Sequence, residues 1–163
     1  IAVQALASRP PEDPRFAEID ASLAVTLKFS GERLAQFFCS FGSGTSESIR
    51  VIGSSGELIL DPAFKFDSAL RLTVRDESGE TVVPFKQADH FSGQIAYFSD
   101  CIVSGQPPEA DGEEGLADMR ALLAIDEAAR SGSTVALPPR DFVSGLRGEM
   151  LRAFAPTKHR LVF

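Results

Sequence analysis

The stretch Asp20-Ala-Ser-Leu-Ala-Val-Thr-Leu-Lys-Phe29, with Ser30-Gly-Glu32 and Leu34-Ala-Gln-Phe-Phe-Cys-Ser-Phe41 after it, decides the fold. Leu23, Val25, Leu27 and Phe29 alternate with Ser22, Ala24, Thr26 and Lys28, the period of two that sends each set to one face of a strand. Ser30-Gly31-Glu32 reads as a tight hairpin turn. The returning run places Phe37, Cys39 and Phe41 on one face and Leu34, Gln36, Phe38 and Ser40 on the other, which is only half polar. Strands joined by so short a turn are antiparallel neighbours, because a parallel crossover needs a dozen residues or more.

Outward from this hairpin the first half is mostly strand. Ile1-Ala-Val-Gln-Ala-Leu-Ala7 reads as a strand already under way, so the chain is expected to be cut from a longer protein. Ile49 to Ile52, the turn Gly53-Ser-Ser-Gly56 and Glu57 to Leu60 form a second hairpin. Leu70, Leu72 and Val74 alternate with Arg71, Thr73 and Arg75, and Glu77-Ser-Gly79 turns the chain into Thr81 to Phe85. The second half is helical. Phe91, Ile95, Phe98 and Ile102 form one stripe between an N-cap at Asp89 and a stop at Gly105. Glu113 and Glu114 open a second helix, where carboxylates suit the positive end of the dipole. Leu116, Met119, Leu122, Leu123 and Ile125 give it a broad apolar side, and Gly132 ends it. Thr134 to Leu137 is a short last strand before Pro138-Pro139, and residues 142–154 read as a further amphipathic helix in a tail over 139–163.

Strands first and helices afterwards imply an α+β domain over residues 1–138. Its sheet is open and largely antiparallel, a mixed sheet being the alternative, with two or three helices packed on one face. Phe91, Ile95, Phe98 and Ile102 are expected to pack on that sheet with Leu116, Met119 and Leu123. The uncovered face should be polar if it meets water. Leu34 and Phe38 break that rule and point to a partner, most simply a second copy in a two-fold homodimer, or a dimer of dimers in a homotetramer.

The composition narrows the function. The 163 residues carry a net charge of −7 and no basic patch, which argues against a nucleic-acid partner. No apolar run reaches the roughly 18 residues of a membrane span. A cytoplasmic location is the default expectation, although a chain opening mid-strand says nothing about a leader. Cys39 and Cys101 read as two buried free thiols rather than a disulfide framework. With His90 and His159 the only histidines and no C-x-x-C, a zinc site is not expected.

Chemistry-bearing motifs are few. Gly42-Ser-Gly44 has no third glycine and no helix after it, so it is not a dinucleotide fingerprint. No phosphate-binding P-loop or G-x-S-x-G elbow occurs. Asp111, Glu113 and Glu114 read either as a metal cluster or as a capped helix start, and the dipole argument favours the cap. His90 beside Asp89 reads as an acid–base candidate or as an incidental residue at a capped start. Neighbours on a helix diverge by about 100°, which makes a dyad awkward. Ser43, Thr45 and Ser46 sit in a polar turn that is either plain turn chemistry or a ligand rim.

Together, Arg9-Pro-Pro-Glu-Asp-Pro-Arg15, Ser40-Phe-Gly-Ser-Gly-Thr-Ser46, Ile49-Arg-Val-Ile-Gly53, Gly56-Glu-Leu-Ile-Leu60, Asp89-His-Phe-Ser-Gly-Gln-Ile-Ala-Tyr-Phe98 and the helix Gly112 to Arg130 carry a resemblance. In this order they resemble the C-terminal domain of the glucose–fructose oxidoreductase / inositol dehydrogenase family of NAD(P)-dependent oxidoreductases, nearest its sugar-oxidising branch. The resemblance covers about residues 1–138. It implies a separate N-terminal Rossmann domain that binds NAD or NADP and carries a catalytic lysine in an E-K-P segment, with a D-x-G-x-[HY] helix at the junction. Neither motif occurs in this chain, so no catalytic, cofactor-binding or metal-binding residue carries over. The implied role is the wall of a sugar or polyol pocket and a subunit contact, inactive without the other domain. Arg15, Ser43, Thr45, Ser46 and His90 are the substrate-binding candidates. The competing readings are a non-enzymatic dimerisation or binding module with the same sheet, and a hydrolase, for which no nucleophile and base are found.

Overall fold

The computed structural model describes residues 1–138, 148 and 152–156. Among them run the strands β1 (Ala2–Ser8), β2 (Ser22–Lys28), β3 (Leu34–Ser40), β4 (Ile49–Gly53), β5 (Gly56–Leu60), β6 (Leu70–Asp76) and β7 (Gly79–Phe85). The helices α1 (His90–Ser104) and α2 (Gly112–Ser131) and the strand β8 (Val135–Ala136) follow. The class is α+β with open sheets, and every strand pairing is antiparallel. The strands form two four-stranded sheets, β3-β2-β1-β8 and β4-β5-β6-β7, where one was expected. Each sheet belongs to its own compact unit: residues 1–44 with 110–145, and residues 45–109 with 146–163.

In the first unit the hairpin β2–β3 has the expected phase. Val25 stands between Ala5 of β1 and Phe37 of β3, and Thr26 between Gln4 and Gln36. Val3, Ala5 and Val25 form a buried cluster with Ala124, Ile125 and Ala128 of α2, flanked by Leu23, Leu27 and Val135. The side of α2 that meets the sheet is therefore a stripe of small residues around Ile125. Leu116, Met119 and Leu123, expected to pack on the sheet, are exposed, as is Leu122 of the same apolar side. Both sets recur at helical spacing; alanines let the helix axis come close to the strands, and the bulkier stripe is turned away. Cys39, on edge strand β3, is exposed instead of buried, while Cys101 is buried, and both are free thiols.

In the second unit one face of the sheet is apolar, with Val51, Leu58 and Val74 in one row and Ile49, Leu60, Leu72 and Val83 in the next. The other face carries a ladder of charges across all four strands. Arg50 Nε donates to Glu57 Oε2 at 2.6 Å, Arg75 Nη1 to Glu57 Oε1 at 2.9 Å, and Arg75 Nε to Glu80 Oε2 at 2.6 Å. The Arg75 guanidinium, then that of Arg50, holds the Glu57 carboxyl below the usual carboxylate range. Single exposed pairs add little stability. A chain of four locks the register, because slipping one residue would turn every charge to the apolar side.

Helix α1 begins and ends where expected, at the cap Asp89 and at Gly105. Its buried residues are Gly93, Tyr97 and Cys101, at i, i+4 and i+8. The stripe Phe91, Ile95, Phe98 and Ile102, expected to pack on a sheet, is exposed, although the Phe91 ring meets the Phe66 ring edge to face at 5.8 Å. The expected helix over 142–154 falls mostly outside the described residues; residues 152–154 are not helical.

Asp89 sets the acid response of α1. Its Oδ1 accepts the Ser92 backbone N–H at 2.9 Å and its Oδ2 accepts the Ser92 hydroxyl at 2.8 Å. These bonds hold the Asp89 carboxyl below its ordinary value. A depressed folded pKa adds stability above the unfolded pKa of about 4, and that stability is lost as pH falls through the folded value. The variant Asp89→Asn keeps a capping oxygen but does not titrate. Urea midpoints of the two proteins are expected to agree near neutral pH, with the parent falling more steeply in acid. Parallel acid limbs would remove Asp89 from the pH dependence.

Candidate functional site

Alternation along β1, β2 and β3 brings a row of amides and hydroxyls to the face of the first sheet away from α2. Gln4, Thr26 and Gln36 lie side by side, and Leu6, Ala24 and Phe38 form the next row. Gln36 Nε2 donates to Thr26 Oγ1 at 3.3 Å, and Gln4 Nε2 donates to Thr134 Oγ1 at 2.8 Å. These groups, with Phe38 and Ser133, line an open cavity of about 680 Å³. Each primary amide has a second N–H and a carbonyl oxygen, and the aromatic ring adds an apolar face. That set suits a ligand rich in hydroxyls. Among the described residues that line the cavity none titrates near neutral pH, so what these side chains can do is bind and orient a ligand.

The sequence candidates lie elsewhere. Arg15 is in the 3₁₀ turn Pro14–Phe16. Its Nη2 meets Asp13 Oδ2 at 2.6 Å, its Nε meets Asp13 Oδ1 at 3.0 Å, and its guanidinium stands 5.2 Å from the centre of the Phe16 ring. The pair depresses the Asp13 carboxyl and raises the Arg15 guanidinium, so much of that positive charge is engaged locally. Ser43 is an exposed residue of the first unit, and Thr45 and Ser46 are exposed at the start of the second, ahead of β4. His90 is the exposed first residue of α1. Its neighbour Asp89 turns both oxygens to Ser92, so the two do not form a dyad. Arg15 and Ser43 share one unit, and Thr45, Ser46 and His90 the other. The row Thr26–Gln36 was legible in the alternating pattern. The Gln4–Thr134 contact was not, since 130 residues separate the partners.

A dinucleotide needs a helix N-terminus with free N–H groups at a glycine-rich turn after a strand. At α2 the Glu113 and Glu114 N–H groups already donate to Asp111 Oδ1, at 3.0 and 3.1 Å. Three carboxylates would face the pyrophosphate there. At α1 Asp89 holds the equivalent place. The described residues therefore do not fit a nicotinamide dinucleotide. Nor do they include a cluster of three or more metal-ligating side chains or a helix long and apolar enough to cross a membrane.

This architecture is that of a domain from the glucose–fructose oxidoreductase / inositol dehydrogenase family: the homologues of the chain are sugar oxidoreductases, matched over a share consistent with a C-terminal domain. The chain is 34% identical over 126 residues to the NADP-dependent D-xylose 1-dehydrogenase of Haloarcula marismortui, spanning 75% of this chain and 34% of that protein. It is 28% identical over 127 residues to an NADP-dependent D-xylose 1-dehydrogenase of Haloferax volcanii, spanning 77% of this chain and 39% of the relative. Among solved structures, the aldose–aldose oxidoreductase of Caulobacter crescentus, complexed with glycerol, superposes with a TM-score of 0.74 at 32% identity. That match covers 84% of this chain and 41% of the other. The chain thus spans well under half the length of these relatives. No family model matches it.

Proposed function

We propose that this chain is the substrate-pocket and oligomerisation domain of an NAD(P)-dependent sugar or polyol oxidoreductase. The cofactor site and catalytic lysine would lie on an N-terminal Rossmann domain of the parent protein, and residues 1–138 would be the C-terminal domain. The carrying observation is the 34% identity to an NADP-dependent D-xylose dehydrogenase over three quarters of the chain. Oxidation of a sugar needs a hydride acceptor and a base for the hydroxyl proton. The residues described here favour neither task. They suit holding hydroxyl groups, and Arg15, Ser43, Thr45, Ser46 and His90 are proposed to do so in the parent.

The test is spectrophotometric. The parent protein with D-xylose and other aldoses is expected to reduce NADP or NAD, and the 163-residue chain alone is expected to be inactive. A parent that reduces neither cofactor with any aldose or polyol sinks the reading, as does turnover by the chain alone. In the parent, Thr45→Ala and Ser46→Ala are expected to raise the sugar KM by about three- to tenfold with little change in kcat. If neither variant moves KM, the turn before β4 is not at the sugar.

For oligomerisation the supporting feature is the open face of the first sheet, where Leu34 and Phe38 are about two-thirds exposed. A second copy laid face to face would cover both in a two-fold contact and close the cavity that Phe38 lines, so in the dimer the sugar contacts fall to the five residues named above. Light scattering is expected to give a dimer mass, or a tetramer in the parent, and Phe38→Lys is expected to shift it to monomer. A monomer mass before the substitution ends this part of the proposal.

A further inference from the structure

The residues around Tyr97 are joined to the C-terminal segment at several separate points. Glu109, only 1% exposed, accepts the Gly148 backbone N–H on Oε2 at 2.8 Å. Its own backbone N–H donates to the Tyr97 hydroxyl at 2.9 Å. The Arg152 guanidinium lies over the Tyr97 ring, 5.8 Å from its centre, and 3.7 Å from Asp100. The Phe154 carbonyl accepts the Asp89 N–H at 2.9 Å, at the first turn of α1. Between these contacts the backbone of Arg152 runs so close to Gly93 that a Cβ there would stand 2.7 Å from the Arg152 carbonyl oxygen. Tyr97, Cys101, Gln106 and Arg152 also line a cavity of about 240 Å³.

We propose that the C-terminal segment, at Gly148 and residues 152–154, is an intramolecular strap. Arg152 seats on the Gly93–Tyr97 face of α1, Gly148 is held by the buried Glu109, and together they control solvent access to the Cys101 thiol. The choice of buried face on α1 supports this. The bulkier Phe91–Ile102 stripe is exposed, and the narrow face with a glycine at its centre is covered. A glycine within a helix weakens it relative to alanine. Here it admits a second backbone, for which alanine leaves no room.

Two reporters are native to the chain: Tyr97 is its one tyrosine in the absence of tryptophan, and Cys101 is one of two cysteines. In a Cys39→Ser background, Gly93→Ala, Arg152→Ala and Glu109→Ala are each expected to speed Cys101 labelling by a thiol reagent about tenfold. Quenching of tyrosine emission by acrylamide should rise in step, and far-UV circular dichroism should remain that of the folded chain. Gly93→Ala is the deciding variant, since on an unstrapped helix the added methyl would strengthen α1 and leave Cys101 labelling unchanged. It also keeps the proposal testable if Glu109→Ala fails to fold. Labelling and quenching at parental rates in folded Gly93→Ala and Arg152→Ala would overturn the strap.

Discussion

Replacing Ile125 by alanine is expected to lower the unfolding free energy by about 2–5 kcal/mol. Ile125 is the largest side chain that α2 buries, and its neighbours Val3, Ala5 and Val25 are in strands tied by antiparallel ladders. They can close over the missing atoms only partly, and a residual cavity adds to the lost transfer free energy. Phe98, the larger side chain, is 54% exposed, and its truncation is expected to cost about 1 kcal/mol or less. Denaturant midpoints at an unchanged m-value measure both. A larger loss at Phe98 than at Ile125 would mean that the helices bury the opposite faces.

Gly56→Ala is expected to cost about 2–4 kcal/mol, the range of a strained backbone reinforced by a clash. Gly56 has φ +153° and faces Gly53 across the β4–β5 turn and Asp76 across β6. A Cβ there would clash with the Arg75 carbonyl oxygen, which belongs to backbone and cannot rotate aside. Relief requires β5 and β6 to separate at the end where Glu57 and Arg75 meet. At Gly53 the nearest atom to a Cβ is 3.7 Å away, so Gly53→Ala is expected to cost about 1 kcal/mol or less. Equal losses at the two positions, read from thermal and denaturant unfolding, would show that the close approach to Arg75 does not set the turn.

Strand alternation alone was enough to determine the phase of each hairpin. Val25 and its neighbours had one orientation that buries the apolar set, and short turns left antiparallel pairing as the simple solution. The helix limits were equally local, because Asp89, Asp111, Gly105 and Gly132 act on groups within one turn. The resemblance in the ordered segments also lay in the sequence, and it pointed to the sugar oxidoreductases later found as homologues. Tertiary structure decided which helical stripe was buried. Hydrophobicity ranks Phe91, Ile95, Phe98 and Ile102 above Gly93, Tyr97 and Cys101, and Leu122 and Leu123 above Ala124 and Ala128. Burial follows the surface that comes within reach, and close approach selects small residues. The division into two sheets, the meeting of Gln4 with Thr134 and that of Glu109 with Gly148 were likewise beyond the sequence. Each depends on segments 39 to 130 residues apart or on a choice among strand edges, and no local period encodes which distant backbone arrives there.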